Sequence, residues 1–252
     1  MTDRRTVTTD RRTVTTSRRG QTAVVGVALL LAITVLSLAA LTATIGTVVE
    51  DSSRAAETGR VVRGFDAALD PHAGTPHERR IAVSSGQFRT VPRTVRLVGG
   101  RQTLAAWRTD ALVYGEYSAR VAYLGGAVIT GSPGNANLRV DPPVAASDGR
   151  LFVGLPTLGT DGVTGFAPGS SGAVLRTNVT HDRRTFSNHV GYGLAVETAT
   201  PGVWEQFFAE RGASTARRAF DDDGVVSVVA RFPAADEASV TVHDLGLVIR
   251  RV

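Results

Sequence analysis

The sequence predicts an α+β chain: a long N-terminal helix of transmembrane type, then a β-rich, antiparallel sandwich-like domain carrying one short helix. Three observations carry that reading. No charged side chain occurs from Gly20 to Val49. From Arg79 onward, short runs rich in Val, Leu, Thr and aromatics alternate with turn signals at Gly99-Gly100, Gly125-Gly126, Asp148-Gly149, Asp161-Gly162 and Asp223-Gly224. Between them, Thr200-Pro201 opens a segment in which Val203, Trp204, Phe207 and Phe208 gather on one side before Gly212.

The apolar run is longer than the roughly 20 residues that cross a hydrocarbon core of about 30 Å. A core helix of a soluble protein usually keeps a polar face, and this run has none. Its flanks orient it. Residues 1–20 hold six Arg (4, 5, 11, 12, 18 and 19) and two Asp (3 and 10), which is +4 of the chain's net +5. Basic residues beside an apolar helix favour the cytoplasmic side. The N-terminus is therefore expected in the cytoplasm and everything after Glu50-Asp51 outside it. Because the basic excess belongs to this flank, no nucleic-acid partner is expected. The run is also longer than the 7–15-residue core of a cleavable secretory signal, and Ala39-Ala40-Leu41-Thr42-Ala43 matches its small-residue cleavage site only in part.

In chain order, Thr2–Thr8 recurs at Thr9–Thr15 with a period of seven and no apolar seam. This polar, repetitive leader (1–20) cannot bury a core and is expected to be disordered. The helical pattern continues past Val49, with Ala55, Val62, Phe65 and Leu69 recurring near helical spacing beside Ala56, Val61 and Ala68. Gly59 and Gly64 weaken it, and Pro71 ends it. The second segment is thus 21–70, and its later half is expected to lay an apolar stripe on the domain that follows. Within that domain, 71–252, strands are expected at 80–83, 87–90, 94–98, 102–107, 111–114, 119–124, 127–130, 151–154, 173–178, 193–198, 215–220, 225–232, 239–243 and 246–251. Gly131–Pro143 reads as a long polar loop and 155–172 as an exposed Gly/Pro-rich region. In the short helix Thr200 is the expected N-cap, and its aromatic side is expected to pack on the sheet.

Chemistry is sparse. With no Cys there is neither a disulfide framework nor a thiolate metal site. His72, His77, His181, His189 and His243 are scattered, and no pair has helical ligand spacing. Asp221-Asp222-Asp223-Gly224 has the start of a calcium loop without the distal oxygens such a loop needs. Gly169-Ser170-Ser171-Gly172 lacks the spacing of a nucleophile elbow. No catalytic site, cofactor or metal is expected. Asn178-Val179-Thr180 is an N-glycosylation acceptor pattern.

Arg18-Arg19-Gly20-Gln21, directly before Val24-Val25-Gly26-Val27-Ala28-Leu29-Leu30-Leu31-Ala32-Ile33-Thr34-Val35, resembles the processing site and hydrophobic segment of archaeal, especially haloarchaeal, type IV pilin-like proteins. The resemblance implies cleavage between Gly20 and Gln21 by a membrane prepilin peptidase, with the apolar helix retained. It implies homo- or hetero-oligomers joined through that helix, at the cell membrane or in a surface filament. Gly26, Ala28, Ala32, Ser37, Ala39, Ala40 and Ala43 would permit close helix approach. The function implied is a structural and adhesion subunit of the cell surface. A single-pass, signal-anchored binding domain that does not polymerise is the alternative.

Overall fold

A computed structural model describes residues 19–72, 76–83, 86–116, 120–159, 172–221 and 223–251, the side chains of 19–24 and 43–51 excepted. The disorder expected of the leader and the exposure expected of 160–171 lie outside the described residues.

Helix α1 (Arg19–Ala68) runs unbroken for 50 residues, about 75 Å at 1.5 Å per residue. The chain divides into two compact units, one up to Ser52 and one from Ser53 onward. The sequence placed its boundary at Pro71. The second half of α1 groups with the β-rich unit, where its expected apolar stripe is buried.

In the first unit the span Val25–Thr42 is long and apolar enough to cross a membrane, and every residue of it is exposed. The hydroxyls of Thr34 and Thr42 donate to the carbonyls of Leu31 and Leu38, at 2.8 Å each. They therefore leave no polar hydrogen pointing into an apolar medium.

Among the described residues the second unit holds four sheets. One orders β2 (Phe88–Val91), β5 (Ala111–Tyr114), β6 (Val121–Leu124), β7 (Ala127–Ser132) and β8 (Asn135–Val140), all antiparallel. A second orders β14 (Ser214–Arg218), β15 (Ser227–Arg231), β13 (Tyr192–Glu197), β3 (Thr94–Gly99) and β4 (Gln102–Arg108), again antiparallel. A third joins β1 (His77–Ile81), β11 (Ala173–Thr177) and β17 (Val248–Arg251). The fourth joins β12 (Thr180–Phe186), β16 (Glu237–Asp244), β10 (Arg150–Thr157) and β9 (Val144–Ser147).

The fold class is α+β and β-rich, with one correction. Strands β10 and β16 pair in parallel over Arg150–Thr157 and Glu237–Asp244, so the domain is not wholly antiparallel. The chain between them passes through two other sheets, and no hairpin constrains their relative direction.

Burial explains the sequence texture. The sheet that begins with β2 lies between two cores. Ala111, Val113, Ala122, Leu124 and Ile129 enter one with Trp204, Phe207 and Phe208. Phe88, Leu112, Tyr114, Val121, Tyr123 and Val128 enter the other with Val61, Phe65, Ala68 and Leu69 of α1 and the residue after it. Strands covered on both faces read as continuous apolar runs, which is why β5 and β6 were legible.

Three strands were not. Strand β8 alternates exposed and half-buried residues and closes on β7 through Pro133-Gly134, so Gly131–Pro143 is mostly hairpin rather than loop. Strand β9 is short and largely exposed, and β12 is exposed at every residue but its last. The expectation of an exposed 155–172 holds at Gly159 but fails at Leu155, Thr157 and Leu158, which are buried at the end of β10 and just after it.

Helix α2 (Pro201–Ala209) starts at the expected proline and stops before Gly212, whose φ of 77° is the left-handed conformation of a helix stop. Thr200 makes no side-chain cap hydrogen bond; its hydroxyl faces that of Thr198 at 3.2 Å. Trp204, Phe207 and Phe208 are buried in the core.

The docked half of α1 is fixed by Val61, Phe65, Ala68 and Leu69, all at most 1% exposed. The buried stripe is the expected one but begins later: Ala55 and Ala56 are exposed. Tyr114 donates to the Glu57 carboxylate and Tyr123 donates to the Leu69 carbonyl at 3.1 Å. Gly64 has a packing reason, since a Cβ there would stand 2.7 Å from Ile81 Cδ1. Phe65→Ala is expected to cost about 3–5 kcal/mol of stability through the cavity it leaves. Urea unfolding of the full chain in detergent, followed by tryptophan fluorescence, measures it.

Candidate functional site

The junction Gly20-Gln21 falls in the first turn of α1, immediately after Arg19. Residues 1–18 on its other side lie outside the described residues. The small residues Gly26, Ala28, Ala32, Ser37, Ala39 and Ala40 all fall in the exposed apolar span, and a Cβ added at Gly26 would meet nothing within 4 Å. The side chain of Ala43 lies outside the described residues. Asn178 follows β11, and Thr180 opens β12. Both are exposed, with Val179 buried between them. The Asn178 N–H donates to the Leu245 carbonyl at 2.8 Å, which fixes its backbone while the side chain stays accessible.

The histidines are not all scattered. His181 of β12 and His243 of β16 are directly opposed in the antiparallel pairing. Their Nδ1 atoms lie 2.8 Å apart, so one must donate and the other accept. His72, just past the end of α1, sets its ring edge-on to His243 at 5.5 Å between centroids. His77 stands apart with Nε2 2.9 Å from the Ala67 carbonyl, and His189 packs edge-on against Tyr192. Burial first, then the neighbouring His181 and His72, hold the His243 imidazole below its ordinary range. Among the described residues no three such side chains converge as metal ligands would.

The acidic turn is structural where described. Asp221 pairs with Arg96, a buried guanidinium that also lies 3.7 Å from Glu197, and Asp223 accepts from the Val225 N–H at 2.9 Å. Asp222 lies outside the described residues, as do Gly169, Ser170 and Ser171.

One cavity of about 600 Å³ combines charge with an apolar floor. The floor is Val91, Ala111, Val113, Ala122, Leu124 and Ile129, which belong to the β2–β5–β6–β7 sheet. Arg89, Arg93 and Arg120 line it, with Ser132, Thr198 and Thr200 beside them and Glu116 on the rim. Arg93 lies 3.6 Å from Glu197 and donates to the Pro92 carbonyl at 2.6 Å. Among the described residues the Arg120 guanidinium reaches the Gly131 carbonyl alone, at 3.4 Å. Burial and then the charges of Arg89 and Arg93 push the Arg120 guanidinium below its ordinary range. Neither this cavity nor the histidine group was visible in the sequence. The cavity arginines belong to separate elements, and no spacing rule links them.

A family described as a family of unknown function (DUF7289) matches residues 19–248, and the chain belongs to that family. No curated protein and no solved structure matches the chain.

The histidine group gives a pH test. An imidazole whose folded pKa is depressed favours the folded state while neutral. Its stabilisation is complete above the unfolded value of about 6.5 and is lost as pH falls below it. A second proton on the His181–His243 pair would also set donor against donor. The Tm of the full chain is therefore expected to fall between about pH 7 and pH 5, and more steeply than that of His243→Gln. Parallel slopes in the two proteins, by differential scanning fluorimetry, would exclude the pair as the cause.

Proposed function

We propose that this chain is a membrane-held cell-surface subunit of the type IV pilin-like kind. In this reading, helix α1 holds the subunit in the bilayer and then packs against other copies or other subunits. The β-rich unit from Ser53 onward faces the outside and carries the adhesive surface. The observation that carries the reading is Val25–Thr42, an apolar helix exposed on every face that begins just after Arg18-Arg19-Gly20-Gln21. In water such a surface is costly, at roughly 25 cal/mol per Å² of apolar area. A hydrocarbon core or a bundle of like helices removes that cost.

Several further features support it. The arginines before the helix favour a cytoplasmic N-terminus. The small residues Gly26, Ala28, Ala32, Ser37, Ala39 and Ala40 let neighbouring helices approach closely. The hydroxyls of Thr34 and Thr42 are satisfied within the helix, which suits either lipid or a helix bundle. The exposed Asn178 and Thr180 of the acceptor pattern suit a glycan on an outward-facing surface. The prepilin peptidase is the processing partner, acting between Gly20 and Gln21.

One observation favours a second reading. Val25 stands at the fifth position after the proposed cut, where bacterial pilins carry a glutamate that sets register between subunits. A single-pass, signal-anchored surface domain with no filament role needs no such acid.

Mass spectrometry of the protein purified from membranes separates the readings. A mature N-terminus at Gln21 supports the pilin-like subunit, and Gly20→Leu is expected to block that cut. An intact Met1 supports the uncleaved anchor, and a terminus near Ala43 would sink both.

A further inference from the structure

We infer that the cavity over the β2–β5–β6–β7 sheet binds a small organic anion, its oxyanion seated among Arg89, Arg93 and Arg120 and its body resting on the apolar floor. The inference stands on the β-rich unit alone and does not depend on how α1 is processed.

Charge is the first argument. Three guanidinium groups line one space, and among the described residues neither Arg89 nor Arg120 forms an ion pair. Glu116 is on the rim but exposed, and no ion pair joins it to any of the three. The one carboxylate that does reach the group, Glu197, is shared between Arg93 and Arg96 at 3.6 and 3.7 Å. Arg120 is half-buried, so water screens it incompletely from its two neighbours. Like charges gathered in a partly dry space destabilise one another, and an anion held between them reverses the sign of that interaction. Guanidinium forks also match the planar geometry of a carboxylate, sulfate or phosphate, which they grip through paired N–H bonds.

Shape is the second argument. A bare inorganic ion would use the arginines and leave the apolar floor without a partner. The volume of about 600 Å³ falls in the usual range for organic ligands, which is roughly 300–1,000 Å³. A floor of Val, Ala, Leu and Ile suits a ring or a short chain, and Ser132 at the edge suits a hydroxyl on it. The cavity thus selects for an oxyanion on an organic body over either part alone.

Calorimetric titration of the full chain in a non-ionic detergent tests this, with benzoate and glucuronate as organic acids, benzyl alcohol and glucose as neutral counterparts, and inorganic sulfate as the bare ion. At least one organic acid is expected to saturate the protein while its neutral counterpart does not bind. Arg120→Gln and Arg89→Gln are each expected to weaken that binding about tenfold, and added NaCl to weaken it further. Arg89 is exposed, so Arg89→Gln keeps the test decisive if Arg120→Gln fails to fold by circular dichroism. The proposal is overturned by no saturable binding of either acid, by binding unchanged in Arg89→Gln, or by equal binding of the neutral counterparts. Sulfate binding as tightly as both acids would mean an adventitious ion only, and would overturn it too.

Discussion

One helix must satisfy two different surroundings, and the rest of the structure follows from that constraint. Over Val25–Thr42, α1 is apolar on every face and every face is exposed. From Val61 it buries a single column at i, i+4, i+7 and i+8: Val61, Phe65, Ala68 and Leu69. The change comes where charge returns, at Glu50-Asp51 and then Arg54 and Glu57. No proline or kink is needed. Backbone hydrogen bonds carry the helix through both halves, while side-chain polarity decides what each half can touch. The tyrosines then fix the docked half. Tyr114 and Tyr123 come from adjacent strands and reach α1 at Glu57 and Leu69, more than two turns apart. Burial and a nearby carboxylate push both phenols well above their ordinary range, Glu57 for Tyr114 and Asp70 for Tyr123, so they stay protonated and keep donating.

Much of this was legible because the physical signal is local. An apolar run without charge can only be a helix in an apolar setting or a buried one. Proline at 201 and glycine at 212 bracket α2 through backbone geometry alone. The strands sandwiched between two cores, such as Leu112–Tyr114 and Val121–Leu124, announce themselves by composition. What failed had no such signal. In β12, Thr180-His181-Asp182-Arg183-Arg184 is polar, and it is a strand only because β16 offers a free edge to pair with. In β8, Asn135-Ala136-Asn137 is held by the ladder to β7 rather than by its own propensity. The parallel pairing of β10 with β16 is a property of the path between them. The α1 stripe begins later than expected because Ala55 and Ala56 look apolar in sequence yet are exposed.

The site residues were illegible for a stronger reason: the groups are assembled by topology. His181 and His243 meet only because β12 and β16 pair in one register; a slip of one residue would put them on opposite faces. His72 joins them from the turn just past the end of α1, which brings its ring edge-on to His243. Arg89, Arg93 and Arg120 come from β2, from the turn after it and from the residue before β6. Sequence reading counts charges along the chain, where residues 21–252 nearly balance at 22 basic and 21 acidic. It cannot count them across a cavity.

That local imbalance carries weight because of how the other arginines are treated. Two other withdrawn arginines meet a carboxylate: buried Arg96 has Asp221 and half-buried Arg211 has Asp141. Arginines that lack a partner and lie in open solvent, such as Arg101 and Arg139, cost little because water supplies the missing dielectric. Arg120 fits neither case. It is half withdrawn from water, it points its nearest nitrogen at one long carbonyl contact, and the charges closest to it share its sign. Acidic residues are not in short supply, since Glu116 and Glu197 are both close by. Yet Glu197 is turned to Arg93 and Arg96, and Glu116 stays in solvent. A half-buried guanidinium whose nearest charges share its sign leaves room for a negative charge.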